Sequence, residues 1–221
     1  MSLLLPDTSP RSEDDLLKRC ELIEGLTFSQ LASMTQFFIP AEESRRKGWA
    51  GNAIEIALGT TAGTKSLPDF NHLGIELKTI PFNTNGKPSE STFVTSIPLL
   101  TIHHQKWHTS SCYQKLKRVL WVPVEGDKQI PFEHRRIGRA YLWSPGLEQE
   151  NILARDWLEL SMMIGTGKLE DINASMGEYL QVRPKGANAR SLCYGFDSEG
   201  NRILTLPRGF YLRSRFTQTL F

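Results

Sequence analysis

The chain has 221 residues, 39% of them hydrophobic, and a formal net charge of +2. That is enough apolar material to bury a sizeable core, as one domain or as two small lobes. No segment approaches the ~20 apolar residues of a membrane span, Leu3-Leu4-Leu5 is cut off by Pro6 and Asp7, and Cys20, Cys112 and Cys193 form no Cys-x-x-Cys pair, so a bilayer protein, an exported protein, a disulfide framework and a zinc site are all disfavoured in favour of a soluble protein of the reducing cytoplasm.

The charge is unevenly spread. Residues 1–30 hold six acidic and three basic side chains, whereas residues 178–221 hold seven basic and three acidic. A mild total with a basic C-terminal region suits a protein that presents one face to phosphates.

In chain order, Ser12 followed by Glu13-Asp14-Asp15 and then Leu16, Leu17, Cys20 and Ile23 predicts a capped amphipathic helix with acids in its first turn. A second helix starts at Thr27 and runs through Met34. The basic turn Arg45-Arg46-Lys47-Gly48 reads as solvated or, with Arg45, Lys47 and Gly48 as candidates, as a grip on a nucleic-acid backbone. Residues 51–59 read as a short helix bounded by Gly51 and Gly59. Glu55 sits there among apolar neighbours, where it either reaches solvent or is aimed into a site.

The next segment, Pro68-Asp69-Phe70-Asn71-His72-Leu73-Gly74-Ile75-Glu76-Leu77-Lys78-Thr79, carries the strongest chemical signal. A strand alternates faces, so Glu76 and Lys78 point the same way, about 6.6 Å apart, while Ile75 and Leu77 face the core. Asp69 and Glu76 supply carboxylates for a hard cation, the Leu77 carbonyl offers a further oxygen, and Lys78 can orient or deprotonate a water and offset charge on a phosphate. Most Glu-x-Lys pairs on strands are solvated ion pairs, so this pattern alone points only weakly to a nuclease.

Further along, Glu90 and Phe93 follow a Gly86-Lys87-Pro88 turn whose tip could enter a groove. His103, His104 and His108 read as loop residues, because adjacent histidines on a strand do not share a face. Lys115, Lys117 and Arg118 precede the apolar run Val119-Leu120-Trp121-Val122-Pro123-Val124, a buried strand with a solvated basic entrance. Residues 152–163 have helical periodicity, and 179–183 alternate as a strand. Arg183-Pro184-Lys185-Gly186 is a basic turn and the best candidate for reading guanine, which arginine pairs with bidentately. Phe210-Tyr211-Leu212 reads as core strand by composition. Together these elements predict an α/β fold with a mixed sheet and the Glu76 strand near its centre.

Several strings carry a resemblance: Lys47-Gly48-Trp49, Gly74 to Pro81, Lys115 to Gly126, Gly177 to Lys185 and Ile203 to Leu212. Together they resemble the MutH family of methyl-directed DNA mismatch-repair endonucleases, within the restriction-endonuclease-like superfamily, almost end to end. The resemblance implies a mixed sheet flanked by helices, in an N-terminal lobe (about 1–105) and a C-terminal lobe (about 106–221) that form a DNA-binding cleft. It also implies Glu55 as a third acidic site residue, Lys115 at the active site, the 183–186 loop as the reader of GATC, and Tyr211 as the sensor of adenine N6-methylation. The implied enzyme is a Mg²⁺-dependent monomer, its site able to take Mn²⁺ or Ca²⁺, that nicks the unmethylated strand of hemimethylated GATC 5′ to the guanine. Its partners are duplex DNA and MutL, acting after MutS. The motifs would also permit a stand-alone GATC restriction endonuclease or a non-catalytic GATC-binding module.

Overall fold

The computed structural model describes residues 8–60, 67–88, 90–186 and 191–221. In chain order its main elements are α1 (Glu13–Ile23), α2 (Phe28–Thr35), α3 (Trp49–Leu58), β1 (Glu76–Phe82), β2 (Thr92–Ser96), α4 (Ser111–Leu116), β3 (Val119–Glu125), β4 (Tyr141–Trp143), α5 (Leu147–Gly165), β5 (Leu180–Pro184), β6 (Cys193–Phe196), β7 (Arg202–Thr205), β8 (Arg208–Leu212) and α6 (Ser214–Thr217). They divide into two compact units, Met1–Ser89 with Arg118–Ser144, and Glu90–Lys117 with Pro145–Phe221. Each unit is built from two chain segments, so a single cut near residue 105 does not describe them.

The first unit holds α1 to α3 and a three-stranded sheet in the order β1-β3-β4. β1 runs parallel to β3, with Glu76 opposite Val119 and Lys78 opposite Trp121, and β4 runs antiparallel to β3. The sheet is therefore mixed, as the sequence predicts, but β1 lies at its edge among the described residues and β3 takes the centre. Val119, Leu120, Trp121 and Val122 are all fully buried, which is what a near-continuous apolar run requires of a strand covered on both faces. Pro81, lacking an N–H, is tolerated in β1 because an edge strand has one side without a ladder.

Local chemistry starts each helix. The Ser12 hydroxyl accepts from the Asp15 N–H at the head of α1, and Thr27 and Gln30 form a reciprocal capping box at α2. α3 begins earlier than the glycine pattern suggests, at Gly48, whose φ of +80° places it in the left-handed region that starts the turn. Gly51 lies inside the helix instead, where a Cβ would meet the Thr79 Oγ1 of β1 at 3.5 Å. The apolar faces of α1, α2 and α3 pack with Ile75 just before β1, Leu77 of β1, and Leu120 and Val122 of β3 in one core. At the start of β3, Arg118 forms a two-pronged pair with Glu13 of α1, which draws that carboxyl below its ordinary pKa through the hydrogen bond.

The second unit holds an antiparallel sheet in the order β2-β8-β5 and the hairpin β6-β7. Phe210, Leu212 and Leu180 are buried on one face of that sheet. α5 is longer than the periodic segment because Gly146 and Gln149 extend it at the N-terminus. Its Asp156 is 1% exposed, and one carboxylate oxygen accepts from the N–H groups of Glu178, Tyr179 and Leu180 at 2.8, 2.6 and 3.0 Å. Gly177 precedes them at φ +80°, where a Cβ would lie 2.0 Å from the Leu180 carbonyl oxygen. Asp156 thus fixes where β5 begins, and with it every residue downstream on that strand. Asp156→Ala would leave three donors without their acceptor, that of Leu180 buried and the other two part-buried, and is expected to lower stability by about 3–5 kcal/mol, read as a drop in the urea midpoint.

Candidate active site

The site begins in a small closed loop. The Phe70 N–H donates to the Ile75 carbonyl at 2.9 Å and the Ile75 N–H returns to the Phe70 carbonyl at 3.3 Å, around a 3₁₀ turn at Asn71–Leu73 that Gly74 ends at φ +68°. That closure sets Asp69 beside β1, where its Oδ2 accepts from the Leu77 N–H at 2.9 Å. The Glu76 N–H donates to the Arg118 carbonyl, on the β3 side. Successive residues of a strand turn their peptide groups to opposite edges, so the N–H and C=O of Leu77 face the outer edge. The Asp69 carboxylate and the Leu77 carbonyl therefore share that edge.

Glu76 is 2% exposed, and its Oε1 accepts from Lys78 Nζ at 2.5 Å. The Lys78 side chain is itself 14% exposed. A solvated strand pair would leave both groups in water. Here the carboxylate is withdrawn from solvent and compensated by an ammonium two residues away, because desolvating it alone would be costly. Ile75 and Leu77 face the helices as expected, which leaves Glu76 and Lys78 on the other face with their register partners Val119 and Trp121.

Glu55 is half-buried on α3, one turn beyond Gly51 and hence on the side of the helix that meets Thr79. Among the described residues, no group of three or more His, Cys, Asp or Glu side chains is arranged to hold a metal ion. Mg²⁺ does not require one, since it commonly takes one or two carboxylates and keeps several waters. Asp69, Glu76 and the Leu77 carbonyl are hard oxygen donors at adjoining positions, a donor set that fits such an ion. Lys115 lies in the last turn of α4, in the second unit.

The second unit gathers four of the residues considered for DNA reading onto one sheet face. Phe93 pairs with Tyr211 and Tyr211 with Gln181 across the three strands, and Arg183 stands opposite Gly209. The rings of Phe93 and Tyr211 meet edge to face at 5.2 Å. The Arg183 guanidinium lies 5.8 Å from the centre of the Tyr211 ring, and Lys185 Nζ sits 3.4 Å over Phe93 while donating to Ser96 Oγ at 3.2 Å. Burial raises the Tyr211 pKa and the charge of Arg183 opposes the rise, so the phenol is neutral and able to donate at physiological pH. Phe210 and Leu212 are core, as composition suggests, but Tyr211 between them points the other way. Glu90, Pro184 and Gly186 are exposed. In the first unit, Arg45 pairs with Glu42 at 2.9 Å, Lys47 is exposed and Gly48 starts α3. His103, His104 and His108 occupy short 3₁₀ turns.

Comparison with known proteins bears on this arrangement. A family model described as DNA mismatch repair enzyme MutH matches residues 58–156, the stretch that includes Asp69, Glu76, Lys78 and Lys115. The DNA mismatch repair protein MutH of Pasteurella multocida is 50% identical over 209 residues, covering 95% of this chain and 94% of that protein. The chain belongs to the MutH family. The same protein of Histophilus somni is 50% identical over 210 residues, and that of Yersinia enterocolitica 49% over 213, each covering at least 95% of this chain and 93% of the relative. Membership in a family of restriction-endonuclease-like fold agrees with the mixed α/β architecture of the structure.

Sequence reasoning passed over the residues that position this aromatic face. Gln181 is buried and its Nε2 donates to Ser91 Oγ at 2.7 Å, and Ser96 holds Lys185. Gly209 is the clearest case, because a Cβ there would lie 2.9 Å from Phe93 Cε2 and 3.2 Å from Tyr211 Cε2. Its one legible signal is a glycine inside a strand, a mark of close approach. Gly209→Ala is expected to displace both rings. The check is a shift of their aromatic proton resonances, with the resonances of the first unit unmoved.

Proposed function

We propose that this mismatch-repair endonuclease nicks the unmethylated strand of hemimethylated GATC, 5′ to the guanine, in a Mg²⁺-dependent hydrolysis stimulated by MutL. The observation that carries the chemistry is the buried Glu76–Lys78 pair beside the edge shared by Asp69 and the Leu77 carbonyl. Asp69, Glu76 and the Leu77 carbonyl would hold the ion, with Glu55 as a further carboxylate, and its contribution is Lewis-acid activation of phosphate and water. Lys78 Nζ, anchored on Glu76 Oε1, points its remaining protons at the scissile phosphate and offsets the charge that builds there. Because the ammonium is already fixed by its partner, little reorganisation accompanies that step.

DNA reading falls to the other unit in this proposal. Arg183 pairs with guanine in the major groove, the neutral Tyr211 phenol senses N6-methylation, and Phe93, Glu90 and the 183–186 turn adjoin the tetranucleotide. Arg45, Lys47 and Gly48 hold backbone near the cut, and Lys115 acts as a phosphate or carboxylate partner. The protein works as a monomer in the cytoplasm, a single site cutting one strand per encounter. No helix among the described residues is long and apolar enough to cross a membrane.

The deciding experiment is nicking of a duplex with one GATC in three methylation states, with Mg²⁺ or EDTA and with or without MutL. Mg²⁺-dependent cutting of the unmethylated strand, increased by MutL, is the expected result. Efficient double-strand cutting without MutL would instead favour a stand-alone restriction enzyme, and binding without cutting a non-catalytic module. Asp69→Ala and Glu76→Ala are each expected to abolish nicking with duplex affinity kept within about threefold, since phosphate contacts elsewhere dominate binding. Parental nicking by either would overturn the site. Arg183→Ala is expected to lose about 1–3 kcal/mol of discrimination between GATC and a duplex altered at the guanine, measured by competition binding.

A further inference from the structure

A polar pocket lies in the first unit, and Asp69, Glu76 and Lys78 are not among its lining residues. It encloses about 400 Å³ and is lined by Glu43, Arg46, Lys47, Lys128, Phe132 and Arg135, with Ile130 and Pro131 completing the wall. Four cationic side chains thus face one carboxylate. Neither these four cations nor Glu43 forms an ion pair among the described residues.

The pocket is built on a rigid floor. The Phe132 ring packs edge to face on Phe28 at 5.1 Å and on Trp49 at 5.7 Å, both members of the helical core. Two guanidinium groups lie by that ring, Arg46 at 5.4 Å and Arg135 at 5.5 Å from its centre. Arg46 is also tied by Nε to the Pro40 carbonyl at 3.0 Å and by Nη2 to the Ala41 carbonyl at 3.1 Å, and Arg135 by Nε to the Ile130 carbonyl at 3.2 Å. Each guanidinium retains further N–H donors beyond these bonds. Cations held in place before a ligand arrives lose little side-chain entropy on binding, and planar guanidinium groups match the oxygens of a phosphate.

We propose that Arg46, Lys47, Lys128 and Arg135 form an accessory phosphate-binding site that grips the backbone of the DNA without reading its sequence. The inference rests on the DNA-cutting reading above and adds Arg46, Lys128 and Arg135 to its backbone contacts. The chemistry shared by every ligand of this pocket is the phosphate oxygen, whether of a duplex or of a free nucleotide. Flexible, exposed Lys128 contributes charge alone, and removing it disturbs neither the aromatic floor nor a carbonyl contact.

The test measures affinity for two duplexes, one with GATC and one without, across a salt series in EDTA, where no cutting occurs. Lys128→Gln is expected to lower the slope of log affinity against log salt by about 0.9, with the same loss on both duplexes. Arg135→Lys, which keeps the charge but loses the planar group, is expected to weaken binding less than Arg135→Gln, with unfolding midpoints compared to separate folding from binding. An unchanged slope for Lys128→Gln alongside normal parental binding overturns this site alone. A parental protein that binds neither duplex overturns the DNA-acting reading beneath it. In a further arm, the Nε–H resonances of Arg46 and Arg135 are followed during titration with dAMP. Saturable shifts at micromolar dAMP with no change in the duplex salt slope would assign the pocket to a free nucleotide and overturn the backbone role.

Discussion

The hydrogen bond from the Leu77 N–H to Asp69 Oδ2 is the constraint on which the first unit turns. An edge strand presents backbone groups that need partners, and here one of them is met by a carboxylate rather than by another strand. That single choice gives the side chain of Asp69 a fixed orientation, places it beside the outward carbonyl of Leu77, and ends the sheet at β1. Were β1 central, a neighbouring strand would take the Leu77 N–H and carbonyl, and the edge donor set would not exist. The edge position of the Glu76 strand is thus a condition of that donor set.

The buried Glu76–Lys78 pair depends on the same arrangement. With the 75/77/79 side of β1 filled by the helices, the residues between them are left to the other face, where β3 contributes Val119 and Trp121. An apolar setting strengthens the attraction between carboxylate and ammonium and also makes it costly to remove either alone. Mutations of Glu76 or Lys78 accordingly carry a stability effect, and any change in rate needs to be read beside unfolding data.

The second unit solves a different problem by similar means. A buried carboxylate, Asp156, satisfies three successive backbone donors and fixes the start of β5, so Gln181, Arg183 and Lys185 reach the sheet face in register with Tyr211 and Phe93. Gly209 leaves the gap that the two rings occupy. The result is a face of aromatic rings bearing cations that are held before any ligand arrives, so little side-chain entropy is lost on contact.

Much of this was legible in the chain itself. Helix starts followed from Ser12 and Thr27, whose side chains bond only to groups three residues away, and strand alternation put Glu76 with Lys78 and opposite to Leu77, because period two is a property of the backbone. The apolar run at 119–122 already carried the mark of a buried strand. What the sequence could not settle was which strand lies beside which, and that misplaced β1 at the centre. Nor could it separate a solvated Glu-x-Lys pair from a buried one, tell that Tyr211 faces away from the core that holds Phe210 and Leu212, or find Asp156 and Gly209. Local pattern determined element type and facing, since these depend on neighbours in the chain. Burial, edge position and the meeting of Arg46, Lys128 and Arg135 around Phe132 were decided only by the tertiary structure, because each depends on groups that the fold brings together from distant positions.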